Sequence, residues 1–140
     1  VVDPQVLHLI PPREPSNIID LYLALIERRP GAIRGFAVKG PYWSDVGTPR
    51  AYLQVHEDLL LRGKAALFLP EQLAGCYQGP GSQIEPGASW EGFLALGSNC
   101  LVRADTSLKN CVVWDNSTVE KGMHLENGVI DGNWHYALPG

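Results

Sequence analysis

The sequence is poor in charge, and poorer still in clustered positive charge. Lys and Arg number 11 and Asp and Glu 15, a charged fraction of 19% and a formal net charge of −4. Without a Lys/Arg cluster, nucleic acid and anionic membrane are excluded as main partners. Long apolar runs are also missing: none approaches the roughly 20 residues that span a bilayer. No basic segment precedes an apolar one at the start, so no signal peptide is expected. The three cysteines, Cys76, Cys100 and Cys111, are odd in number and lack CxxC spacing. That argues against a disulfide scaffold or a zinc knuckle and for reduced thiols in a cytoplasmic protein.

Turn formers are abundant instead, with 15 Gly and 11 Pro, while 45% of the residues are hydrophobic. Apolar residues persist between the glycines, which fits many tight turns in an ordered fold better than disorder. The chain opens Val1-Val2-Asp3-Pro4, without Met, in what reads as the end of a strand. A domain rarely starts there, so a piece of a longer chain is expected.

Asp3 caps a short helix with Pro4 at its first position, and Asn17 caps a second over residues 18–29. Residues 32–39 read as a strand, with Phe36 and Val38 alternating against smaller or charged neighbours. Thr48 caps a third helix, with Pro49 at its first position and Gly63 as its stop. Tyr52, Val55 and Leu59 share one face of it, with Leu53 and Leu60 adjacent. Residues 64–82 form a connector without a period.

From Ile84 the sequence repeats in sixes. The units start at Ile84, Trp90, Leu96, Val102, Leu108, Val113, Val119, Leu125 and Ile130, and those at Leu108 and Leu125 are one residue short. A second inward position falls at Ala88, Leu94, Cys100, Thr106, Val112, Ser117, Met123, Val129 and Trp134. A short strand followed by a tight corner makes one side of a triangular coil. The corner interior must be apolar, and Gly or Asn relieves the turn. Three sides give coils of about 18 residues stacked at about 4.8 Å. Stacking predicts the columns Ile84, Val102, Val119 and Trp90, Leu108, Leu125. The short units fall on one side of the triangle. Phe93 and Trp114 fall outward or near corners, where exposed aromatics mark interfaces, or they pack under the connector. The open lower edge needs cover from residues 134–140 or from a second subunit.

The segment that bears chemistry is G-P-Y-W-S-D-V-G-T-P, residues 40–49, followed by Tyr52-Leu53 and Asp58-Leu59-Leu60. It resembles the sugar-1-phosphate nucleotidyltransferases. In that family a W-x-D-I/V-G-T-P segment closes the catalytic domain and a Y-L-x-x-x-x-D-L-L helix follows. Many members then append a left-handed hexapeptide-repeat helix. The Asp3-Pro4-x-Val6-Leu7 and Ile18-Ile19-Asp20 segments resemble the family stretch just after the sugar-pocket strand. Nearly the whole chain is covered, and it is most similar to the mannose-1-phosphate guanylyltransferase-like group.

The resemblance implies an α+β remnant of an α/β nucleotidyltransferase domain over residues 1–63, then the connector 64–82. A left-handed parallel β-helix follows over 83–140. It implies an enzyme that joins a nucleoside triphosphate to a sugar 1-phosphate and releases pyrophosphate, with Mg²⁺ between the phosphates. Asp45 aligns with the second of two metal-binding aspartates, a hard oxygen ligand suited to Mg²⁺, and Trp43 and Gly47 shape the loop that carries it. Read without the resemblance, Asp45 is a turn carboxylate ahead of the Thr48 helix. The family's G-G-x-G-T-R-L-x-P nucleotide loop, its first metal aspartate and its phosphate-binding lysines are absent. The chain alone is therefore expected not to turn over substrate.

Two other readings compete. The β-helix can be a non-catalytic module for homo-oligomer assembly or regulation. Hexapeptide helices also occur in acyltransferases and in a zinc carbonic anhydrase class. His124 and His135 lie in the repeat and His8 and His56 outside it, but His124 reads as a surface residue. Two histidines cannot supply three zinc ligands.

Overall fold

The computed structural model describes residues 2–64, 75–132 and 134–138. Its contacts divide the chain into two units, Val1–Gly40 and Pro41–Gly140.

The first unit is helical. Asp3 Oδ1 accepts the Gln5 N–H at 2.9 Å and starts a short 3-10 helix, Pro4–Leu9. Asn17 Oδ1 accepts the Ile19 N–H at 2.9 Å and caps α1, Ile18–Arg28. Leu21, Tyr22 and Leu25 lie half-buried on one stripe of α1, but neither helix buries a residue fully. The expected strand over residues 32–39 does not form. A strand needs a ladder partner for its N–H and C=O groups, and none of the described strands pairs with it. Its apolar side chains stay in water, with Phe36 90% exposed.

The second unit carries the repeat. After α2, Pro49–Leu60, come β1 (Cys76–Gln78), β2 (Gln83–Ile84), β3 (Ser89–Leu96) and β4 (Leu101–Val102). β5 (Ser107–Val113), β6 (Thr118–Val119), β7 (His124–Asp131) and β8 (Trp134–Ala137) complete it. The order β1-β3-β5-β7-β8 makes one sheet and β2-β4-β6 another. All pairs except β7–β8 are parallel, so the strands wind into a β-solenoid of about 3 turns.

The expected columns are present. Ile84 opposes Val102 and Val102 opposes Val119; Trp90 opposes Leu108 and Leu108 opposes Leu125. The short unit appears as a register shift between Glu91 and Leu94 of β3. β5 and β7 carry the same deletion, so Cys111 faces Gly128 without a shift of its own. The inside of the coils is a single apolar column set that includes Leu94, Leu96, Cys100, Val102, Leu108, Cys111, Val113, Val119 and Ile130. Each buried aliphatic side chain of this kind is worth about 1.5–3 kcal/mol, and the first unit has none to match.

Corners explain the glycines and asparagines. Gly92, Asn110 and Asn127 stack at one corner with φ of 69°, 51° and 49°. The Asn110 Nδ2 donates to Asn127 Oδ1 at 3.0 Å, so the left-handed turns are tied coil to coil. Gly suits the head of this column, since a Cβ there would run into Asn110 Oδ1 unless that side chain moved.

Several inward assignments change. Val112 and Val129 were expected inside, but the five-residue step moves that place to Cys111 and Gly128. Val112, Val129, Ala95 and Phe93 instead form an outer apolar patch under Leu53, Tyr52 and Leu60 of α2. Phe93 is therefore buried by its own chain, with α2 packed on it; most of the connector that was expected to cover it, residues 65–74, lies outside the described residues. The seated face of α2 is Tyr52, Leu53 and Leu60, not the expected Tyr52, Val55 and Leu59, because Leu53 and Leu60 reach the sheet. Trp90 keeps its column but is 42% exposed. Trp134 was expected inside and is 57% exposed. The chain reverses at Gly132, φ 57°, and β8 runs antiparallel on β7, so no further inward column exists for it. This strand covers the lower edge of the stack along Gly128 to Asp131 of β7. Among the described residues, no helix is long and apolar enough to cross a membrane.

Candidate functional site

The segment 40–49 is built from short-range bonds. Asp45 Oδ1 accepts the Gly47 N–H at 3.1 Å, a turn in which the side chain stands in for a backbone carbonyl. Three residues on, Thr48 is extended (φ −136°, ψ 154°) and its Oγ1 accepts the Ala51 N–H at 3.1 Å. That bond and Pro49 at the first helical position start α2. Asp45 thus occupies the turn position, and its carboxylate is exposed. Gly47 has ordinary backbone angles, and a Cβ on it would meet Asp45 Oδ1 at 3.4 Å. That is ordinary contact, so neither a left-handed φ nor crowding demands glycine here. Trp43 is 81% exposed.

A second set of bonds holds this segment in place. Tyr42 Oη donates to Asp58 Oδ2 at 2.9 Å. Arg62 Nη1 donates to Asp58 Oδ1 and Lys64 Nζ to Oδ2, each at 3.0 Å, and Gln54 Nε2 approaches Oδ1 at 3.4 Å. Arg62 also reaches Glu57 at 2.8 Å, and the Lys64 ammonium lies 5.7 Å from the Tyr42 ring centroid. Asp58 is buried, and the Lys64 hydrogen bond, opposed by desolvation and helped by the Tyr42 bond, holds its carboxyl below the usual range. Asp58 sits in the helix motif singled out above, but nothing in the spacing shows that it anchors Tyr42. A buried acid flanked by Arg62 and Lys64 is the only signal.

Asp45 suits a divalent metal in one way. Among the described residues its Oδ2 accepts no hydrogen bond, which leaves one hard oxygen free. Mg²⁺ is commonly held by one or two carboxylates together with substrate phosphates. No three His, Cys, Asp or Glu side chains converge as a complete protein cage among the described residues.

The remaining reactive groups lie elsewhere. His124 is exposed on β7 opposite Ser107, and His135 is exposed on β8 opposite Ile130. His8 is exposed in the first unit. The thiols face the solenoid interior or its edge, and burial pushes Cys76 and Cys111 up, away from the nucleophilic thiolate. Compared with models of known protein families and with curated protein sequences, the chain matches none.

Proposed function

We propose that this chain is the C-terminal part of a Mg²⁺-dependent sugar-1-phosphate nucleotidyltransferase, of the mannose-1-phosphate guanylyltransferase kind, with its β-helix left-handed. One observation carries the reading. The segment that resembles the family's metal-binding stretch presents an exposed Asp45 carboxylate on a turn, tied back through Tyr42 to Asp58 of the helix that follows. That helix seats on a parallel solenoid, the order of parts found in many members of the family. The unsatisfied strand pattern of residues 32–39 also fits a segment whose sheet partners lie outside this chain.

In the proposed reaction a sugar-phosphate oxygen attacks the α-phosphorus of a nucleoside triphosphate, and pyrophosphate leaves. Mg²⁺ supplies charge neutralisation at the phosphates when bound. Asp45 contributes one oxygen toward it. The Gly47 N–H, held by the other oxygen, fixes the direction of that carboxylate. No protein nucleophile is required, and catalysis is positioning plus electrostatics. Trp43 and Gly47 line the substrate side of the loop.

The test is pyrophosphate release from GTP and mannose 1-phosphate. The product of the complete reading frame should be active with Mg²⁺, and residues 1–140 alone inactive. Asp45→Asn keeps the Gly47 bond but removes the charge, so activity should fall at least 100-fold, the order expected for loss of a preorganised charged group, at unchanged thermal stability. Full activity in that variant, or none in the complete product with any nucleotide and sugar 1-phosphate, would sink the reading.

A second reading, assembly of a homo-oligomer through the solenoid, is favoured by β8. It is an edge strand whose Trp134 stacks on Tyr136 with centroids 6.1 Å apart and remains exposed. Light scattering tests it: a dimer or larger supports the role, and a monomer removes it.

A further inference from the structure

Beside α2, the outer face of the solenoid holds a groove of about 480 Å³ that the chemistry proposed for Asp45 does not use. Tyr52 of α2, Tyr77 of β1 and Trp114, just beyond β5, form its aromatic walls. Tyr52 and Trp114 meet edge to face, with centroids 6.4 Å apart and planes at 89°. The Trp114 Nε1–H donates to the Tyr52 hydroxyl at 3.0 Å, which fixes this corner. Trp114 is 45% exposed and Tyr77 37%, so ring surface is open to a ligand.

Asp115 and Asp131 complete the lining. Asp115 Oδ1 accepts the Ser98 N–H at 2.6 Å. Among the described residues, Asp115 Oδ2 and both Asp131 carboxylate oxygens have no hydrogen-bond or ion-pair partner, and no Lys or Arg lines the groove. His56 lines it too, but burial holds its imidazole below the ordinary value. Its Nδ1 lies 2.9 Å from the Tyr52 carbonyl, which can only accept, so Nδ1 carries the proton and the neutral ring adds no positive charge.

Aromatic rings and two carboxylates without a counter-charge thus line one groove. The negative face of an aromatic ring attracts a cation within about 6 Å of its centroid. Two like carboxylates repel an anion, and a neutral apolar body would desolvate them without compensation. We propose that the groove binds a small organic ammonium ion, with its charge toward Asp115 and Asp131 and its alkyl groups on Trp114 and Tyr77. This does not depend on the nucleotidyltransferase reading.

Titration calorimetry and the Trp114 indole NMR signal test it, with tetramethylammonium and choline as probes and neohexanol as the uncharged isostere of choline. Choline should bind saturably and shift the Trp114 signal, and neohexanol should bind about tenfold more weakly or worse. Asp131→Asn, at an exposed position, and Asp115→Asn, which keeps an acceptor for Ser98, should together weaken choline about tenfold. If the double variant loses its native spectrum, the single Asp131→Asn serves, with a smaller loss expected. No saturable binding up to about 10 mM, equal binding of neohexanol or a neutral sugar, or unchanged affinity in a folded variant would overturn the proposal.

Discussion

The Tyr42 hydroxyl donates to Asp58 Oδ2 at 2.9 Å across 16 residues. This contact ties the start of the Asp45 segment to the last turn of α2, and α2 in turn lies on the solenoid through Leu53 and Leu60. The exposed carboxylate is therefore placed by a buried one.

Asp58 should make stability sensitive to acid. Its folded value lies below the ordinary carboxylate value, so its contribution is fully present above that value and is lost as pH falls through the folded one. Urea midpoints should drop below about pH 4, and less so in Asp58→Asn. Tyr42→Phe should raise amide exchange at Asp45 to Gly47 more than in the solenoid strands, as hydrogen-exchange NMR would show. Unchanged exchange would separate Tyr42 from the segment.

His56 predicts a second, milder dependence. Burial lowers its value and the bond to the Tyr52 carbonyl partly opposes this, so the folded state favours the neutral ring. Its contribution is present above the ordinary His value of about 6.5 and is lost as pH falls through the lowered folded value. Denaturation midpoints measured between about pH 7 and pH 5 should decline, and His56→Phe should flatten that decline.

Phe93 is the anchor of the α2 contact. It is 2% exposed and its ring stacks on His56 with centroids 6.2 Å apart. Phe93→Ala should cost about 3–5 kcal/mol of unfolding free energy and loosen α2 before the strands. Helical signal lost ahead of sheet signal in a circular-dichroism melt would show it.

The corners give the fourth expectation. Gly92→Ala places a side chain at φ 69° and against Asn110 Oδ1. Destabilisation of about 1–3 kcal/mol is expected, whereas Gly122→Asn, at φ 76° with open space around it, should be better tolerated. Equal midpoints for the two variants would refute the stacking account of that corner.

The solenoid was legible because each coil repeats the same demand: an aliphatic residue inside at Ile84, Val102 and Val119, and a left-handed corner at Asn110 and Asn127. The caps at Asp3, Asn17 and Thr48 were legible for the same local reason. Long-range choices were not. The third helix has apolar residues on both sides of its seam, and the sheet decides that Leu53 and Leu60 go inward. Residues 32–39 carry a strand pattern, but a pattern without a partner cannot close a ladder. Trp134 continues the hexads on paper, and the reversal at Gly132 turns it out. At the candidate site the Asp45 turn follows from Asp-x-Gly, whereas the Tyr42–Asp58 bond has no period to betray it.

The reversal at Gly132 also bears on growth. A parallel edge offers the next strand the same direction and the same inward column, so such a stack can lengthen without limit. β8 offers neither. A copy that meets it antiparallel to itself closes about a twofold axis and consumes both edges at once. For the assembly proposed above, pairing through β8 therefore leads to a closed pair rather than an open filament.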